Sequence, residues 1–316
     1  MNLKPIDLDT ARRILDFSGG DESLASLGEL QLEGAVALYN MIADPNVGIG
    51  YLADEVGMGK TYIALGVVSL MRYFNPALRV LYICPSSNVQ EKWYAREYRS
   101  FCKHNVRVNQ YRVRTPDGKS AAPAISCRSV TELIRHAATG YYADFFVGMN
   151  AFSLALSKDD KSAWKAKLRE LNQLLPAFEV PTSRITSMAV KDKYAEALNY
   201  VLPSFDLVVI DEAHNFKHDF ESSHRNRVLS AALGFREGEG RVQRVKNALL
   251  LSATPYDRNI NQLRNQLRLV GHGSLLPDDV AHDEKDRVEA HLSRFMVRRL
   301  NVLQIAGKDH TRNMYR

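Results

Sequence analysis

Residues 51–66 read YLADEVGMGKTYIALG. An apolar run leads into two closely spaced glycines, a lysine and a threonine, and an amphipathic stretch follows. That order predicts a buried strand, a tight loop and a helix. Where a helix begins, unpaired N–H groups and the positive end of the helix dipole favour an anion. Glycines let the backbone approach it and a lysine reaches outer phosphates, so Gly59-Lys60-Thr61 fits the second half of a P-loop. The first position departs from the general pattern, with Asp54 where glycine is usual. On these residues alone, a glycine-rich turn feeding a helix stays open.

Four more apolar runs surround this one: RVLYICP (79–85), DFFVGMN (144–150), FDLVVID (205–211) and NALLLSA (247–253), alongside VGIGYLA (47–53). Each is continuously apolar rather than alternating, as in strands covered on both faces. Helical patterns lie between them, at Lys60–Tyr73 and Asn88–Phe101. The expectation is an α/β fold with a mainly parallel central sheet and helices on both sides. Residues 10–42 read as helices packed before the first core strand. The charged, proline-bearing segment 157–200 reads as a helical insertion, and GFREGEGR (234–241) as a loop.

FDLVVIDEAH (205–214) supplies what a P-loop needs from a neighbouring strand. Asp211 and Glu212 arrive at the carboxyl end of a buried strand, where ligands bind in open α/β sheets. Asp211 is placed to hold Mg²⁺ through its water shell, with Thr61, and Glu212 to orient or deprotonate an attacking water. The bland reading is an Asp that caps a helix.

Composition narrows the class. The chain has 316 residues and a net charge of +6. Fourteen Lys/Arg against eight Asp/Glu after residue 240 account for all of that charge. A basic end suits a polyanionic partner or is simply a solvated face. Cys84, Cys102 and Cys127 have no metal-ligand spacing. With no signal-like or membrane-length apolar run, the expected setting is cytoplasmic, at the nucleoid when working.

DEVGMGKT (54–61), DEAH (211–214) and LLLSATP (249–255), in this order, resemble motifs I, II and III of superfamily-two helicases. The acidic pair before Gly57 is similar to the Swi/Snf-like branch, and the spelling is closest to its divergent bacterial members. The resemblance implies a three-layer RecA-like ATPase lobe over 46–316, preceded by N-terminal helices over 1–45 and ending in a linker-like stretch near 300–316. It implies ATP and Mg²⁺, held by Asp54, Glu55, Val56, Gly57, Met58, Gly59, Lys60, Thr61 and Tyr62. LGELQLEGAVALYNMI (27–42) resembles the glutamine motif, which would put adenine recognition on Gln31. His214, Ser252 and Thr254 would relay between the nucleotide and nucleic-acid sites.

LYICPSSNVQEKW (81–93) resembles motif Ia, FFVGMNAFS (145–153) occupies the place of motif Ib, and RFMVRRL (294–300) resembles the "fmlRR" element. By that likeness Ser86, Ser87, Lys92, Asn150, Arg298 and Arg299 are candidate backbone contacts to double-stranded DNA. Family members sandwich ATP between two lobes, and the second brings an arginine finger in a QxxGRxxR-type motif. That motif does not occur in this sequence. The expectation is therefore a lobe completed by a second RecA-like lobe, in the same or another chain, and weakly active or inactive alone. An RNA helicase lobe, or a nucleotide-gated module in a multi-protein assembly, are the alternatives.

Overall fold

The apolar runs become the interior of one seven-stranded sheet. The computed structural model describes residues 3–108, 113–114, 120–121, 123–153, 161–174, 187–235, 242–257, 259–299, 303–305 and 308–310. In chain order the strands are β1 (Ile49–Leu52), β2 (Val80–Cys84), β3 (Val113–Arg114), β4 (Ser120–Ala121), β5 (Ala124–Cys127), β6 (Asp144–Gly148), β7 (Phe205–Ile210), β8 (Val245–Leu251), β9 (Met296–Val297), β10 (Leu303–Ile305) and β11 (Lys308–His310). The large sheet runs β5-β6-β2-β7-β8-β1-β9. Every pairing in it is parallel. β3 with β4 and β10 with β11 form separate antiparallel ribbons.

The helices are α1 (Leu8–Ile14), α2 (Ala25–Ala43), α3 (Lys60–Phe74), α4 (Ser87–Glu91), α5 (Arg99–His104), α6 (Val130–Ala138), α7 (Lys161–Leu174), α8 (Ser187–Val201), α9 (His224–Leu233), α10 (Asn261–Leu269) and α11 (Lys285–Leu292). Successive strand residues serve opposite faces. Leu81, Ile83, Val208 and Ile210 pack among α6, α8, α9 and α10. Val80, Tyr82, Leu207 and Val209 pack among α1, α2, α3 and α5. Two apolar cores with the sheet between them make the three-layer RecA-like arrangement.

The segment expected as an insertion is more than decoration. Of it, α8 is the crossover between β6 and β7. Val190, Tyr194, Ala197 and Leu198 are buried in the core. Asp192 pairs with Arg227 of α9 through two hydrogen bonds of 2.9 and 2.8 Å. The N-terminal helices share the core of α3, since Leu32, Ala35 and Leu38 of α2 are buried with Ile63 and Val67. Of the loop expected at 234–241, residues 236–241 lie outside the described residues, as does most of 300–316. Among the described residues no helix is long and apolar enough to cross a membrane.

A buried ion pair pins α3 to the sheet. The Arg72 guanidinium donates to Asp144 at 2.8 and 2.7 Å, with the two side chains 1% and 0% exposed. The Tyr98 hydroxyl donates to the same carboxylate at 2.6 Å, and Arg72 also reaches the Leu78 carbonyl.

Candidate functional site

β1 delivers its loop to the carboxyl end of the sheet. Gly57 and Gly59 have φ of 94° and 76°, a left-handed backbone that a side chain disfavours. A Cβ on Gly57 would meet nothing within 4 Å, so conformation alone calls for glycine there. A Cβ on Gly59 would collide with the Gln31 amide. Gly59 caps α3, and Lys60 opens it. The Lys60 ammonium folds back on its loop, donating to the Asp54 and Glu55 carbonyls at 3.0 and 3.2 Å. Val56, at the tip, is 82% exposed. Thr61 follows on α3. Tyr62 turns away, its hydroxyl bonded to Ser100 and its ring edge-on to Phe101.

Gln31 lies against this loop. It is buried, and its amide donates to the Met58 carbonyl at 3.2 Å. Asp54 explains the missing first glycine. Its carboxylate is fully buried and accepts the Arg299 N–H at 2.8 Å, its Nε at 3.0 Å and its Nη2. The other guanidinium nitrogen donates to the Leu30 carbonyl of α2. Gly34 leaves room for it, because a Cβ there would meet the guanidinium carbon at 2.8 Å. Two residues expected to contact ligands thus bond to each other. Asp54 faces Arg299, and Arg299 has its guanidinium nitrogens engaged inside the domain. Arg298 beside it is exposed. Arg299→Met is expected to leave the Asp54 carboxylate short of donors. Stability should fall by about 1–3 kcal/mol and nucleotide binding should weaken, as thermal melts and ATP titration would read.

β7 brings the acidic pair alongside. The Asp211 N–H bonds the Ile83 carbonyl at 3.0 Å, which ties the strand end to β2. Asp211 Oδ2 accepts the Trp93 indole N–H at 3.0 Å, and Oδ1 accepts the Glu212 N–H at 2.9 Å. Glu212 has φ 50°, the one described non-glycine residue in the left-handed region. Such strain persists where surrounding structure over-determines it, as at active sites. Burial, and then the Glu212 charge, push the Asp211 carboxyl above its ordinary range. Burial holds the Lys60 ammonium below its usual range, opposed by the charges of Glu212 and Asp211. Lys60 and Asp211 each feel the other's charge, which places the start of α3 near the acidic pair at the end of β7.

A polar chain leads from the acidic pair to the next strand. His214 Nδ1 lies 3.2 Å from Glu212 Oε2 and 3.0 Å from Ser252 Oγ. Ser252 Oγ accepts the Thr254 N–H at 3.2 Å. Behind it the buried Tyr51 hydroxyl donates to Gln266, whose amide holds the Pro255 carbonyl, both at 2.6 Å. The three residues expected to act as a relay are thus contiguous.

At the same end of the sheet a cleft of about 560 Å³ lies beyond β2 and β6, lined among others by Ser86, Ser87, Arg128, Ser129 and Asn150. Two helix N-termini border it. Ser86 caps α4, accepting the Val89 N–H at 3.3 Å, and Ser129 caps α6, accepting the Glu132 N–H at 3.1 Å. The Glu132 carboxylate reaches back past the cap to accept the Arg128 N–H at 2.7 Å. The Ser-x-x-Glu spacing was readable in SVTE (129–132) as a helix start, yet sequence reasoning missed Arg128 and Ser129. Lys92 is not among the lining residues and pairs with Glu97 at 3.3 Å.

Sequence comparison matches a family model described as type III restriction enzyme, res subunit, over residues 27–257. No curated protein sequence matches the chain. Among solved structures it is similar to the Sulfolobus solfataricus SWI2/SNF2 ATPase core in complex with dsDNA, with 18% identity and a TM-score of 0.52. That match covers 95% of this chain and 46% of the other. A second is the Sulfolobus solfataricus SWI2/SNF2 ATPase core domain, with 18% identity, a TM-score of 0.47, and 95% and 45% coverage. The chain thus spans about half the length of the structures it matches, and the likeness is one of fold. The family match covers more than two thirds of the sequence, and the chain belongs to the family of the type III restriction enzyme res subunit, as a superfamily-two helicase-like ATPase domain.

Proposed function

We propose that this domain is the N-terminal ATP-binding lobe of a Swi/Snf-like translocase that moves on double-stranded DNA once a second RecA-like lobe is present. One observation carries the reading: the loop lysine after β1 and the Asp211–Glu212 pair after β7 stand at one end of the parallel sheet, near enough to feel each other's charge, with a cleft bordered by two capped helix N-termini and Arg128 at the same end. Backbone amides, an ammonium group and two carboxylates suit a magnesium-bound polyphosphate. The space beside Gly57, on the loop's outer side, is open for it. Lys60 and the loop amides would hold the phosphates, and Thr61 and Asp211 the Mg²⁺. Gln31, its amide engaged by Met58, would offer its carbonyl oxygen to the base. When bound, ATP supplies the phosphoanhydride and Mg²⁺ offsets its charge. Glu212, held by His214, orients a water and accepts its proton.

The cleft suits a nucleic-acid backbone. Ser86, Ser87, Ser129 and Asn150 supply donors, and Arg128 a cation. Such contacts position a duplex without reading its sequence, and binding weakens steeply with salt. The full-length protein should therefore hydrolyse ATP faster with duplex DNA of any sequence. Arg128→Glu is expected to weaken DNA binding about tenfold or more and to lower the salt slope by about one, as affinity measured across a salt series would show. Equal stimulation by RNA would move the reading to an RNA helicase. No stimulation by either would leave a nucleotide-gated module in a larger assembly.

A further inference from the structure

The helix bordering the cleft changes its winding midway. After α4, residues Lys92–Tyr98 form a π-helical turn, and α5 resumes at Arg99. Such i→i+5 turns are rare and occur frequently at functional sites. With the winding widened, residues five apart fall near one face. Both ends of the turn accordingly reach carboxylates at the sheet: Trp93 bonds Asp211 and Tyr98 bonds Asp144. Trp93 is 2% exposed and its ring packs 5.9 Å from that of Tyr82.

Three residues earlier, on the same face, Gln90 lines the cleft. Its amide nitrogen lies 2.9 Å from Ser126 Oγ and 3.0 Å from the Cys127 and Phe146 carbonyls, so it is fixed to the end of β5 and the middle of β6. One helix face therefore touches the cleft at Gln90 and the magnesium-site carboxylate at Trp93. An indole N–H donates only, so Trp93 suits an ionised Asp211. With Glu212 N–H on one oxygen and Trp93 on the other, the carboxylate plane is set. Partners of this kind orient metal-ligating carboxylates.

We propose that Trp93 is a positioning residue for Asp211, and that the Ser86–Trp93 segment is the connector through which a polyanion in the cleft strengthens binding at the magnesium site. This rests on the nucleotide reading above. By linkage, Mg·ATP must strengthen polyanion binding by the same factor. Trp93→Phe keeps an aromatic body and removes the donor.

The test is calorimetric titration of the full-length protein with ATP, across a Mg²⁺ series, with and without duplex DNA. Trp93→Phe should raise the Mg²⁺ needed for half-saturation by about tenfold or more, leave Mg²⁺-free ATP binding unchanged, and abolish the gain in affinity caused by DNA. In an Asp211→Asn background the same change should add little, since the two act through one contact. A second readout is Trp93 emission in a Trp164→Phe protein, which should shift on adding Mg·ATP. Unchanged Mg²⁺ dependence, losses that add in the double variant, or a silent Trp93 would overturn the positioning role. An unsubstituted protein whose Mg·ATP affinity ignores DNA would overturn the connector. Failure of that protein to bind Mg·ATP at all would instead refute the nucleotide reading itself.

Discussion

Glu212→Gln is expected to slow ATP hydrolysis by about 10²–10⁴-fold, the usual contribution of a positioned general base. Nucleotide affinity should hardly change. Glutamine matches glutamate in shape, the backbone at 212 keeps its N–H bond to Asp211, and the amide oxygen can still accept from His214. Single-turnover hydrolysis with both lobes present, paired with an ATP titration, separates the two quantities. Hydrolysis at the unsubstituted rate would remove Glu212 from the chemistry and leave its strained backbone without a functional explanation.

Asp144→Ala should be the most destabilising single change, and it lies away from the chemistry. It strands the Arg72 guanidinium in a site where both partners are fully buried. Breaking such a pair from one side costs about 3–5 kcal/mol. It also removes the 2.6 Å hydrogen bond from the Tyr98 hydroxyl. Chemical denaturation should show the midpoint move sharply down. Replacing both members, as Arg72→Met with Asp144→Leu, should recover most of the loss, because two apolar side chains leave no buried charge. If the double variant were as unstable as the single one, lost packing around Asp144, and not a stranded charge, would account for the instability.

What the sequence disclosed follows the range of the interactions concerned. The five interior strands were legible because burial on both faces writes itself as an unbroken apolar run. β5 was not, since its residues Ala124–Ser126 are only half-buried at the sheet edge, and β9 is two residues long. α8 was legible as a helix. Its charged, solvent-facing residues hid that Tyr194 and Leu198 belong to the core. At the site, Gly57–Thr61 and Asp211–His214 are contiguous spellings, so their placement could be anticipated. The bond from Trp93 to Asp211 joins residues 118 apart, and that from Arg299 to Asp54 joins residues 245 apart. No local pattern announces either. Lys92 shows the converse: its charge was plain in the sequence, its direction was not.

The order of strands also governs how the domain can come together during synthesis. β1, which leads into Gly57–Thr61, pairs among the described residues with β8 and β9 alone. Its apolar residues Ile49–Leu52 leave the ribosome long before Val245–Leu251 exist to dock beside them. Until then β2 and β6 can zip together while β1 waits under α2 and α3. Closing so wide a chain loop is slow and leaves a hydrophobic edge uncovered meanwhile. The strand that leads into Gly57–Thr61 is thus among the last interior strands to gain a partner, and translation stalled before residue 245 would yield a nascent chain prone to aggregate.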